Sequence, residues 1–65
     1  MNHMSENEFR EALKTLGISQ RQFAADIRTD ITAVNRWAKG RVPVPGAAEA
    51  YLRLRVSVSN RESGV

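Results

Sequence analysis

The chain has 65 residues, ten Lys and Arg against seven Asp and Glu for a formal net charge of +3, no cysteine and one histidine. That length allows one domain with a marginal core; the lack of cysteine excludes disulfides and thiolate metal sites, and His3 alone cannot build a metal cage, so no metal or other cofactor is expected. No apolar run approaches the ~18 residues needed to cross a bilayer, which leaves a partner subunit as the remaining aid to stability.

The opening Met1–Ser5 stretch has neither the basic nor the apolar region of a secretory signal, so a cytoplasmic protein is expected. Ser5 followed by Glu8 is a capping-box pattern. Phe9, Ala12, Leu13 and Leu16 then recur at helical spacing, and Gly17 offers a left-handed stop, which predicts a helix over 6–16. Ser19 and Gln22 repeat the capping pattern ahead of Phe23, Ala24 and Ile27, predicting a helix over 20–27. Thr29 and Asp30 both suit an N-cap, Asp30 the better of the two. Ile31, Val34 and Trp37 follow at intervals of three until Gly40, predicting a helix over 31–39.

Pro43 and Pro45 make the next stretch a rigid connector. Ala47, Ala48, Tyr51, Leu52 and Arg55 then share one face of a helix over 47–55. Leu52, Leu54, Val56 and Val58 alternate with Arg53, Arg55, Ser57 and Ser59, a period of two that predicts a short β-type segment after Arg55. The polar Asn60–Val65 tail is expected to be disordered. The expected fold is all-α: one compact domain over 1–65 with four helices, or five, and a short β-type C-terminal segment used for dimerisation.

Charge is concentrated in the middle of the chain. Residues 18–41 hold Arg21, Arg28, Arg36, Lys39 and Arg41 against Asp26 and Asp30, a net of +3. A polyanion-facing element and a merely solvated helix face account equally well for that excess. Two short helices joined by about three residues match a helix-turn-helix. Ala24 supplies the small residue where the two cross, and Phe23, Ile27, Val34 and Trp37 supply a shared core.

The run Ile18-Ser-Gln-Arg-Gln-Phe-Ala-Ala-Asp-Ile27, with Val34-Asn-Arg-Trp-Ala-Lys-Gly-Arg41 and Val42-Pro-Val-Pro-Gly-Ala-Ala48, resembles the Cro/repressor-type (XRE-like) helix-turn-helix regulators over about Ile18–Leu54. The small size is similar to that of phage-borne autorepressors encoded beside anti-CRISPR genes. The family usually has glycine where Arg28 stands and an apolar residue where Thr29 stands. A non-glycine residue at positive φ costs roughly 1 kcal/mol, so either the turn is reshaped or Arg28 is kept for a phosphate contact.

The resemblance implies that the start of the third helix faces base edges, and the periodicity agrees. With Val34 and Trp37 inward, Ile31, Thr32, Ala33, Asn35 and Arg36 are the candidate base readers. Arg36 suits guanine and Asn35 suits adenine, while Thr32 and Ala33 are short enough to meet thymine methyls. Ile31 suits apolar contact at the groove floor. Gln20 and Arg21 open the second helix, where backbone N–H groups favour phosphate; the resemblance also gives Gln20 a backbone-positioning role. Arg28, Lys39 and Arg41 complete the phosphate candidates. Arg53 and Arg55 are expected to be solvated, Asp26 exposed, and Trp37 in the core. No nucleophile–base constellation stands out, so an enzyme is not expected.

One such unit reads too few base pairs for specificity. A homodimer on a palindromic operator, with half-sites ~34 Å apart, is therefore expected. Tyr51, Leu52, Leu54, Val56 and Val58 are the dimerisation candidates, joining subunits through the fourth helix or through strand pairing of the Val56–Val58 segment across the axis, with packing at the base of the fourth helix the other reading of Tyr51. The implied activity is that of a repressor or autorepressor governed by its own concentration, with no small-molecule ligand. Two other readings stay open: an antitoxin-like protein-interaction module using the fourth helix, and charge-driven, nonspecific nucleic-acid binding.

Overall fold

The computed structural model describes residues 4–63. The expectations for His3 and for the Gly64–Val65 end of the tail lie outside them. Among the described residues the chain is all-helical, with four helices and no strand: α1 (Glu6–Leu16), α2 (Gln20–Asp26), α3 (Ile31–Ala38) and α4 (Gly46–Ser63). No helix among the described residues is long and apolar enough to cross a membrane.

The starts of α1 and α2 follow from their serines. Ser5 Oγ accepts from the Glu8 N–H at 3.1 Å, while Glu8 Oε1 accepts from the Ser5 N–H at 2.9 Å, a complete capping box. Ser19 Oγ accepts from the Gln22 N–H at 3.0 Å. Asp30 occupies the N-cap position of α3, but its side chain makes no capping bond. Helices α2 and α3 each stop one residue short of the sequence expectation.

Three of the helices end in the same backbone device. After α1, Ile18 N–H donates to Leu13 O and Gly17 N–H to Lys14 O, both at 3.1 Å; after α3, Arg41 N–H donates to Arg36 O at 3.0 Å and Gly40 N–H to Trp37 O at 3.2 Å. After α2, Thr29 N–H donates to Ala24 O at 2.8 Å and Arg28 N–H to Ala25 O at 3.2 Å. These are Schellman motifs, each needing a left-handed residue at its fifth position. Gly17 (φ +69°) and Gly40 (φ +75°) supply it without strain; Arg28 adopts φ +56° and bears the Cβ clash. The turn is therefore not reshaped to suit arginine.

Phe9 from α1 is the hub of the core. Its ring meets Phe23 of α2 edge-on at 5.4 Å and Trp37 of α3 edge-on at 6.2 Å. Phe9, Phe23, Val34 and Leu52 are fully buried, and Leu13, Ala24, Ala38, Val44 and Ala48 close around them. Each large apolar side chain buried in this way contributes roughly 1.5–3 kcal/mol. Ile27 packs half-buried against the cluster. The Arg10 guanidinium donates to the Ala38 carbonyl, tying α1 to the negative end of α3.

The fourth helix departs most from expectation. Residues 56–58 are helical, not β-type, and the helix continues through Asn60 to Ser63. The alternating pattern in fact superimposes two i,i+4 pairs. Leu52 and Val56 face α1 and the core, whereas Leu54 and Val58 lie on the far side of the same helix. Once a helix is nucleated at 46–52, propagation adds a hydrogen bond per residue, while an unpaired strand gains none. In this chain the segment is helical and so presents no strand for pairing across a twofold axis.

If the left-handed turn is strained, Arg28→Gly raises stability by about 1 kcal/mol, a rise in Tm of about 4–8 °C for a domain of this size. Arg28→Ala, which keeps the Cβ, gives no comparable gain. Thermal melting followed by circular dichroism checks both, and an unchanged Tm for Arg28→Gly contradicts the strain.

Candidate nucleic-acid interface

Helix α3 has two opposed faces. Val34, Trp37 and Ala38 are buried, and Ala33 packs half-buried on the rim of the core. Thr32, Asn35, Arg36 and Lys39, at i, i+3, i+4 and i+7, form one outward polar stripe. Thr32, Arg36 and Lys39 are exposed and Asn35 is half-buried. Ile31, also exposed, stands at the amino end of the stripe. Of the five base-reading candidates, Ala33 is thus turned toward the core, and the other four lie on or beside the outward face.

The start of α2 is joined to the middle of this stripe. Asn35 Nδ2 donates to Gln20 Oε1 at 3.2 Å in a half-buried contact. The bond fixes the Asn35 amide against α2 and leaves its Oδ1 available. Arg21, the next residue in the first turn of α2, is exposed. Lys39 and Arg41 are exposed where α3 ends. Arg21, Arg36, Lys39 and Arg41 form no ion pair with any described residue. Arg36, Lys39 and Arg41, three unneutralised cations on α3 and at its end, give this side a positive field.

Arg28 does not join them. It lines a shallow cleft with Ile27, Thr29, Trp37, Pro45 and Ala47, on the side of α3 that carries Trp37. Arg55, expected to be solvated, is half-buried. Its Nη1 donates to the Tyr51 hydroxyl at 2.7 Å and lies 3.7 Å from Asp26 Oδ2. Asp26 in turn accepts from Gln22 Nε2 at 3.0 Å, so a polar chain links α2 to α4. Arg53 pairs with Glu49 one turn away at 2.9 Å.

The dimerisation candidates divide. Leu52 has no exposed surface, and Tyr51 is half-buried with its ring 6.0 Å from that of Phe23. Both belong to the protein's own core, because the fourth helix must cover Phe23. Leu54 and Val58 are 63% and 44% exposed, and Val56 is half-buried on the α1 side. Sequence reasoning missed Arg10 and the Asp26–Arg55 link. Both join residues far apart in the chain, and no local spacing signals them.

The Gln20–Asn35 bond orients α2 against α3, so a double-mutant cycle with Gln20→Ala and Asn35→Ala should show a coupling of about 0.5–1.5 kcal/mol in urea unfolding. Strict additivity of the two losses indicates that the bond carries no orienting energy.

No family model matches the chain, and neither a curated protein nor a solved structure does.

Proposed function

We propose that α2, the turn at 27–30 and α3 form a helix-turn-helix that places the outward stripe of α3 in the major groove of double-stranded DNA. The observation that carries this reading is the exposed, unpaired row Thr32–Arg36–Lys39 on a helix whose opposite face is buried. Groove entry requires such a helix, held by its back and presenting short polar and guanidinium side chains at the front. Arg36 is the guanine reader, Thr32 and Ile31 meet thymine methyls, and Asn35 offers its free Oδ1 while Gln20 holds its amide. Arg21, Lys39 and Arg41 contact phosphates on either side. The protein acts as a homodimer on an inverted repeat, as a cytoplasmic repressor or autorepressor whose occupancy follows its own concentration. It performs no catalysis in this role.

The test begins with sites selected from a random oligonucleotide pool. Arg36→Ala is expected to cost about 1–3 kcal/mol on the selected site and to relax preference at one base pair of each half-site. An equal loss on selected and random duplexes would falsify the base-reading role of Arg36.

Three phosphate cations per subunit, about six per dimer, imply roughly a 10³-fold loss of affinity between 50 and 200 mM salt. Fluorescence anisotropy measures it directly. A flat salt response contradicts the phosphate assignments.

A further inference from the structure

Two unpartnered features lie side by side on α4. The first is an apolar ridge, Leu54 and Val58, stacked one turn apart on the outward side of the helix. The second is a groove between α1 and the later part of α4, floored by Ala12 and Val56 and walled by Glu8, Glu11 and Thr15 on one side and by Arg53 and Arg61 on the other. The two helices run alongside each other in a common direction. Met4 N–H donates to Glu49 Oε1 at 3.3 Å near both starts, and Thr15 faces the groove with Asn60 near the end of α1. About a third of a turn around α4 separates the groove from the ridge.

Resting on the homodimer proposed above, the geometry points to the partner for this surface: a second copy of the chain, whose Leu54–Val58 ridge enters the α1–α4 groove while its own groove receives the first copy's ridge. A twofold interface must be its own complement, and a ridge beside a groove meets that condition. Charge favours the same partner. The groove's α1 wall is acidic, through Glu8 and Glu11, while the ridge is bordered by Arg61, which has no ion pair among the described residues. Reciprocal docking sets each acidic wall against the basic border of the other copy. Packing α4 against α4 alone leaves both grooves open. The ridge and the groove floor lie outside the outward stripe of α3, so this contact leaves the stripe exposed.

The test is sedimentation equilibrium of the full chain without DNA at tens of micromolar, with circular dichroism to verify helicity. The wild type is expected to be dimeric. Leu54→Glu on the ridge and Thr15→Arg in the groove, both at exposed positions, should each weaken self-association at least about tenfold. Glu11→Arg and Arg61→Glu should each weaken it alone, and an equimolar mixture of the two should associate more tightly than either. A monomeric wild type overturns the proposal. So does a dimer broken by Leu54→Glu but untouched by Thr15→Arg, which means that α4 packs without the groove or that a different partner uses it. A dimer with this full pattern that fails to bind any duplex upholds the interface and refutes the DNA-binding reading instead.

Discussion

The rotation of α3 about its own axis is set by Val34 and Trp37. Trp37 meets Phe9 edge-on, Phe9 meets Phe23 in the same manner, and Val34 is sealed among them. One residue of slip turns a helix by about 100°, which would drive Arg36 toward the aromatic cluster and expose Trp37. Burying an unpaired guanidinium costs several kcal/mol, so the aromatic contacts and the charge of Arg36 enforce the same orientation. What α3 presents to its surroundings is therefore decided on its hidden face.

Short helices need firm stops, and the chain uses one stop three times. Each left-handed residue at Gly17, Arg28 and Gly40 lets two carbonyls of the preceding helix find donors before the chain turns. Only the stop between α2 and α3 carries a side chain, and its arginine lines a cleft rather than the outward stripe. Long-range polar contacts then refine the arrangement. Arg10 closes the carbonyl end of α3, Asn35 reaches Gln20, and Arg55 joins α4 to Asp26 of α2.

Helices α1 to α3 were legible in the sequence because each carries local signals that agree: a serine cap or Asp30 at the start, a three-to-four residue apolar period and, for α1 and α3, a glycine at the end. The inward pair Val34 and Trp37 followed from the same period. The end of α4 was not legible. Leu52 with Val56, and Leu54 with Val58, are two helical pairs whose overlap reads as strand alternation, and only the position of α1 distinguishes them. The same ambiguity placed Leu52 at a subunit contact, although it is wholly buried in the core, and of the two readings open for Tyr51 its packing against Phe23 is the one observed. Ala33 was expected on the face opposite Val34 and Trp37, yet the step of about 100° from Val34 leaves it on the core rim. The strain at Arg28 was anticipated through the family resemblance, and the two glycine stops in the same chain give its physical basis.

Amide chemical-shift mapping of the labelled protein during titration with a selected duplex interrogates the orientation of α3 most directly. Perturbation should centre on Thr32, Asn35, Arg36 and Lys39 and extend to Gln20 and Arg21, with the amides of Leu54 and Val58 little changed when the protein is already dimeric. Shifts confined to α1 and α4, with residues 31–39 silent, would mean that the outward row of α3 is only a solvated face.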